Sequence, residues 1–424
     1  KMSKPILVFQ APIATRSGYG DHSRDILKSL FELDKYDVKV VPTRWGNTPQ
    51  DQINPQTEFG QRILQNIVTQ LNQKPDIFIQ VSVANEFKKV GKYNIGITAG
   101  VETTLAPQEF LQGSNQMDLI ITPSEFTKEV LIKTSYTQMD KNTNQKVGEL
   151  KVQKPVEVLF EGVNIEIFNS DTKGTDILES VDTDFNFLYV GHWLQGDLGH
   201  DRKDTGMMIK TFCTVFKSLP KNQQPGLILK TSSAGFSVMD REEISKKIKD
   251  ITKEFGKKCP PIHLVFGDLS ESELNDLYND DKVKAMLMFT KGEGYGRPLA
   301  EFATTGKPII VSDWSGYKDF LPSENTVYLE GELKEIHQSA QNKFLLKESK
   351  WFYVDYSKAA SKIFDVYKNY KKYLKQSEGL KTNINKNFPL NKMTSKLGEI
   401  LDKYVKIQPQ PKHIELKLPT IKKL

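Results

Sequence analysis

Two cysteines and six histidines in 424 residues leave little material for metal or redox chemistry. Cys213 and Cys259 sit in unrelated contexts, so neither a disulfide framework nor a four-ligand zinc site follows from them. A reducing compartment is the expected location, the cytoplasm of a cell or of a virus-infected host. His22, His192 and His200 lack the spacing of metal ligands and read as loop or pocket-edge residues. No apolar run approaches the roughly 20 residues that cross a bilayer. Ile6 to Phe9 is too short for a signal-peptide core, so neither a membrane span nor export is expected. No internal repeat of short period is present. The net charge of +6 is small for this length and excludes a dedicated nucleic-acid-binding domain. Lysines do gather in Lys141 to Lys154 and in Lys403 to Lys423. They read as a solvated loop and a loose tail, with a nucleic acid or an anionic membrane surface as the alternative.

What the chain does contain is the makings of two ordinary globular cores. Apolar residues at 38% and charged ones at 26% describe a globular protein, and the length suits two domains. The first half alternates strand-length apolar runs (Pro5 to Phe9, Asp37 to Val41, Asp76 to Val81, Tyr93 to Thr98, Leu119 to Thr122, Val156 to Phe160) with amphipathic helices. One helix is expected from Asp21 to Leu33 and another from about Phe59 to Leu71. The second half repeats the pattern in Phe185 to Val190, Leu227 to Lys230, Ile262 to Phe266, Ala285 to Phe289 and Ile309 to Val311. Such alternation predicts α/β architecture with parallel, doubly wound sheets. Asn169 to Asp184 is polar and reads as a linker or surface loop. Amphipathic helices follow over Tyr356 to Tyr373 and Met393 to Tyr404. The expected division is 1–165, 166–355, terminal helices over 356–406, and a tail over 407–424.

The most informative stretch is Gly292-Glu293-Gly294-Tyr295-Gly296-Arg297-Pro298-Leu299-Ala300-Glu301. It reads as a glycine loop leaving a buried strand, with Pro298 as the first residue of a helix and Glu301 in that helix's first turn. Glycines permit close approach of backbone to a ligand, and helix-start amides attract phosphate. An acidic residue in a first turn is ordinary, but Glu293 stands at the carboxyl end of a strand, where open α/β sheets bind ligands. A second loop follows the strand Phe185 to Val190 and carries Arg202 and Lys203 just before a helix, where the dipole disfavours cations. Ser17-Gly18-Tyr19-Gly20 follows the first strand. It is a poor dinucleotide fingerprint, since Ser23 replaces the third glycine and no acid ends the second strand at Val40-Val41-Pro42. A nicotinamide enzyme is therefore not expected.

The glutamate pair and the following Ala303-Thr304-Thr305-Gly306-Lys307-Pro308 resemble the donor-site motif of retaining glycosyltransferases with the two-domain GT-B fold, of the group 1 or family 4 type. Ile262 to Leu269, Pro123-Ser124-Glu125-Phe126 and Glu161-Gly162-Val163-Asn164 are similar to that family's other segments, in order, over roughly residues 119 to 320. The resemblance implies two Rossmann-like domains facing a cleft, with terminal helices returning to the first domain. It implies a nucleoside diphosphate sugar as donor, a uridine form favoured and a guanosine form possible, with no required cofactor or metal. Glu301 would bind ribose hydroxyls and Glu293 the sugar. Arg202 and Lys203 would hold the diphosphate, Gly294, Tyr295 and Gly296 would contact sugar or phosphate, and Gly267 to Leu269 would meet the base. Gly18 and Gly20 would face the donor phosphate or the acceptor.

One departure stands out. The family's first-domain histidine is missing from Ile97 to Pro107, where Glu102 and Thr103 offer polarity instead, or Glu102 merely caps the helix after Pro107. Asp182-Thr183-Asp184 superficially matches the metal-binding aspartates of the other large glycosyltransferase fold, but precedes its strand and reads as solvated. The acceptor stays open: a small molecule, glycan or lipid-linked glycan, or alternatively DNA carrying hydroxymethylated pyrimidines. An epimerase, a phosphorylase or a non-catalytic sugar-binding module are rivals of other classes.

Overall fold

A computed structural model of the protein describes residues 3–172, 174–232 and 238–407. The first half contributes β1 (Ile6–Ala11), β2 (Asp37–Pro42), β3 (Ile77–Val81), β4 (Tyr93–Ile97), β5 (Leu119–Thr122), the hairpin β6 (Tyr136–Met139) and β7 (Lys146–Leu150), and β8 (Val156–Val158). Strands 2-1-3-4-5-8, in that order, form a six-stranded sheet with every pairing parallel. The second half contributes β9 (Asn186–His192), β10 (Gly226–Ser232), β11 (Ile262–Val265), β12 (Val283–Met288), β13 (Ile309–Ser312) and β14 (Val327–Leu329), again six and all parallel, in the order 11-10-9-12-13-14. An antiparallel hairpin of β15 (Gly331–Glu335) and β16 (Lys350–Val354) follows.

Strands such as Ile77–Val81 and Leu119–Thr122 are buried at every position, as expected of parallel strands covered on both faces. The second sheet has the strand order of dinucleotide-binding folds. Its winding reverses between β9 and β12, which opens a crevice beyond their carboxyl ends. The loops that carry Arg202 and Glu293 both start there.

The helix Gly18–Leu33 buries Ile26, Leu27 and Leu30 and begins three residues earlier than its apolar pattern predicts. Ser17 caps it, its hydroxyl accepting from the Gly20 N–H at 3.0 Å. The single helix expected over Tyr356 to Tyr373 is instead two, Tyr356–Lys368 and Tyr370–Asn387, separated at Asn369, whose φ of −113° and ψ of 34° break the helical path. The last helix, Leu390–Tyr404, returns to the first sheet's side. Thr394 meets Ser29 at 2.7 Å, Lys35 meets Asp402 at 2.7 Å, and the Tyr404 hydroxyl donates to Glu157 at 2.6 Å.

Two further expectations need correction. The stretch Asn169 to Asp184 is not simply a solvated linker, because Leu178 and Val181 are buried against the second core. Cys213 and Cys259, unrelated in sequence, come together with sulfurs 3.8 Å apart as free thiols. Of the two lysine clusters, Lys141 to Lys154 lies largely on the exposed β6–β7 hairpin, whereas residues 408–424 fall outside the described residues. None of the described helices is long and apolar enough to cross a membrane.

Candidate active site

The largely buried β12 delivers the chain into the crevice through Phe289, and the loop 290–296 turns there before the helix Arg297–Ala303. Gly296, at φ +99°, makes that turn in a conformation that excludes most side chains. The helix therefore starts at Arg297, with Pro298 second. Glu301 is its fifth residue, past the first turn where the sequence placed it. Gly292 and Gly294 are glycines for a reason the sequence did not reveal: the first domain's backbone passes directly beside them. A Cβ would lie 2.0 Å from the Glu102 carbonyl at Gly292 and 2.2 Å from the Ala99 carbonyl at Gly294. Ser124 clamps the same loop, its hydroxyl donating to the Gly294 carbonyl at 2.6 Å.

Glu293 is the hub of the crevice. Arg202 Nη1 donates to its Oε2 at 3.0 Å and to the Gly292 carbonyl at 2.8 Å, Lys203 Nζ donates to Oε1, and the Thr290 hydroxyl donates to Oε1 at 2.6 Å. Its own N–H donates to Ser315 at 2.9 Å. Burial works to raise the Glu293 carboxyl, but Lys203 and Arg202 outweigh it and hold the group down to about 2. Burial lowers Lys203, and would lower Arg202 were Glu102 and Glu293 not beside it; the Arg202 guanidinium is instead raised and stays charged. Glu102 belongs to the first domain and pairs with Arg202 Nε at 3.1 Å. It does not cap the helix Gln108–Ser114, which starts after Pro107 without a side-chain cap. Thr103 is buried and spends its hydroxyl on the Leu105 carbonyl at 3.0 Å, a local turn.

A second carboxylate cluster lies around Arg297. Its guanidinium reaches Asp25 at 2.8 Å, Glu301 at 3.5 Å and Glu161 at 3.6 Å, so one cation serves three acids from both domains. Burial consequently prevails over the shared charge. Glu301 is pushed up to about 8 and Glu161 to about 7. The Tyr278 hydroxyl donates to Glu301 Oε2 at 3.2 Å. His22, read from sequence as a loop residue, is a buried helical side chain. Burial and Arg297 lower it to about 4, which keeps it neutral near pH 7.

The remaining expected residues are spread along the cleft. Gly267 has φ +107° with open space at its missing side chain, and its carbonyl accepts from Lys230 at 2.7 Å. Asp268, next to the partly buried Leu269, pairs with Arg16 of the first domain at 3.2 Å, which puts this turn at the domain junction. Gly18 has open space around it. Gly20 is required by the turn itself, since a Cβ there would lie 2.2 Å from the Thr15 carbonyl. Tyr295 is buried and packs on Phe320 at 4.7 Å between ring centroids. Asp182 and Asp184 are exposed ahead of β9.

Sequence reasoning missed Arg297 and Asp25 as members of the site. A signal existed for Asp25, a carboxylate beside the apolar positions Ile26 and Leu27 of its helix. Arg297 gave none, because an arginine after a glycine loop is ordinary on a surface. Chemically, the crevice sets two fixed cations beside a carboxylate that they hold ionised near pH 7, with a protonatable carboxyl on the adjoining helix. That arrangement can bind a diphosphate and accept hydroxyl protons.

No protein-family model matches the chain, and no curated protein matches it in sequence. Solved structures do match in fold. A glycosyltransferase from Rickettsia africae superposes with a TM-score of 0.61 at 13% identity, covering 96% of this chain and 100% of that one. Sucrose-phosphate synthase from Thermosynechococcus elongatus gives 0.60 at 13% identity, covering 94% and 98%. Anabaena HepE in complex with UDP-glucose gives 0.57 at 11% identity, covering 94% and 100%. The similarity runs along nearly the whole chain, and the fold of this protein, two parallel six-stranded sheets with helices, is that of the GT-B glycosyltransferases.

Proposed function

We propose that the protein is a retaining, metal-independent glycosyltransferase that moves a sugar from a nucleoside diphosphate sugar to an acceptor hydroxyl. The observation that carries this reading is the Glu293, Arg202 and Lys203 constellation at the winding reversal of the second sheet. A uridine donor is favoured because HepE, of the same fold, is described in complex with UDP-glucose. In this reading residues 1–165 form the acceptor domain and 166–355 the donor domain, with 356–406 packing back on the first.

Arg202 and Lys203 hold the diphosphate and take up the charge that grows on it as the sugar–oxygen bond breaks, the work a divalent cation does elsewhere. The acceptor hydroxyl attacks on the face the phosphate leaves, and its proton passes to a departing phosphate oxygen. Glu293 holds the sugar hydroxyls, and the loop amides at Gly294 to Gly296 flank the sugar and phosphate. Glu301 takes the ribose hydroxyls, and the turn at Gly267 and Leu269 faces the base. The acceptor is a glycan, lipid-linked glycan or small molecule. The exposed lysines of the β6–β7 hairpin favour DNA carrying hydroxymethylated bases as the second reading.

Incubation with a panel of UDP- and GDP-sugars and acceptors, in chelator, tests the reading. Nucleoside diphosphate release with a mass gain on the acceptor and retained anomeric configuration is the expected result. Free epimers indicate an epimerase, saturable binding without turnover a sugar-binding module, and rescue by magnesium or manganese a metal-dependent enzyme.

Glu301 provides a pH test. A carboxyl raised to about 8 accepts a ribose hydroxyl more strongly once it has lost its proton, so donor affinity should climb with pH up to about 8 and then level. Glu301→Gln should flatten that profile and weaken binding by about 1.5–3 kcal/mol at high pH. A pH-independent wild-type affinity removes the ribose assignment.

A further inference from the structure

Lys291 is a fully buried ammonium that the proposed chemistry does not use. It stands two residues before Glu293, yet its Nζ reaches the opposite loop. It lies 3.1 Å from Asp204 Oδ2 and donates to the Asp201 carbonyl at 3.1 Å. Both Lys291 and Asp204 side chains are 0% exposed. The Tyr356 hydroxyl donates to the same Asp204 oxygen at 2.6 Å. The two loops are also joined through backbone, the Lys291 N–H donating to the Arg202 carbonyl at 2.7 Å, while the Phe352 N–H of β16 ties the Lys291 carbonyl at 2.9 Å.

Asp201 and Asp204, the two residues that Lys291 grips, bracket Arg202 and Lys203. Asp204 does so at φ +52°, a left-handed conformation in which aspartate and asparagine are the side chains most readily accepted after glycine. A single desolvated cation therefore fixes both ends of the basic segment relative to the loop that carries Glu293. Low local dielectric makes such a contact stiff, and it makes removal of one partner alone severe.

We propose that Lys291 is a positioning residue, whose ammonium clamps segment 201–204 so that Arg202 and Lys203 face Glu293 and the donor's diphosphate. The inference rests on the reading of that basic pair as the diphosphate site. A purely structural ion pair would be replaceable by neutral partners of similar shape without changing recognition of the second phosphate. A positioning pair would not.

The test is Lys291→Met/Asp204→Asn, which removes both charges together. Asparagine tolerates the left-handed backbone and still accepts from Tyr356. UDP and UMP, with GDP and GMP alongside, are titrated by calorimetry into the wild type and the variant, and melting and turnover are measured. The variant is expected to melt cooperatively, to bind the diphosphate about tenfold more weakly and the monophosphate unchanged. Its kcat/KM should drop about 100-fold, the scale of a small misplacement of catalytic groups. Unchanged diphosphate affinity and turnover overturn the inference, as does equal weakening of di- and monophosphate. If the double variant does not fold, Tyr356→Phe, which loosens Asp204 without stranding a buried charge, reads out the same ratio. A wild type that binds none of the four nucleotides instead removes the underlying functional reading.

Discussion

Arg202→Ala combined with Lys203→Ala should lower turnover by about a thousandfold while weakening binding of the intact donor far less. Negative charge on the departing diphosphate is greater in the transition state than in the bound donor, so fixed cations contribute more to kcat than to ground-state affinity. These cations are fixed in advance. Arg202 is held by Glu102, Gly292 and Glu293, and Lys203 by Glu293. Steady-state kinetics with a competent donor, beside calorimetry of an unreactive donor analogue, separates the two effects. Equal losses in kcat/KM and in analogue affinity would mean uniform binding and would take the charge-stabilising role from the pair.

Glu293→Gln is expected to act on stability and turnover in a recognisable combination. The carboxyl is held down from 4.5 to about 2, a preference for the charged form of about 3 kcal/mol in the folded state. A depressed folded value means that this contribution is complete above about 4.5 and is lost as the pH falls through about 2. Without the carboxylate, two buried cations keep only Glu102 as a charged partner, so the unliganded variant should melt at lower temperature at neutral pH. Nucleoside diphosphate should restore more stability to the variant than to the wild type, because phosphate supplies the missing anion. Turnover should drop about 100-fold or more, since the sugar loses its charged acceptor. Thermal melting with and without diphosphate checks this. A variant that binds diphosphate as poorly as a Glu301 variant would contradict the separate roles given to the two glutamates.

The fold was legible because parallel strands are buried on both faces and stand out as short apolar runs. Eleven of the twelve strands in the two large sheets lie where such runs were read, and Leu119–Thr122 matches residue for residue. The last, Val327–Leu329, escaped because three residues beside a hairpin carry no periodicity. Within the site, Glu293, Arg202 and Lys203 were nominated from separate loops and meet in space. Chain order alone could not reveal that they neutralise one another, nor that Gly292 and Gly294 yield room to the first domain's backbone rather than to open cleft. The Arg297 cluster was hidden for the same reason. Its partners Asp25 and Glu161 lie 272 and 136 positions away, and only packing of the two domains makes a buried site of them.

The most direct measurement is a crystal structure of the protein with an unreactive UDP-sugar analogue. The diphosphate oxygens should lie within about 3 Å of Arg202 and Lys203, in place of their present pairing with Glu293, with the ribose on Glu301 and the sugar against Glu293. A nucleotide bound away from the β9–β12 crevice, or seated there with its phosphates turned from both cations, would contradict this assignment.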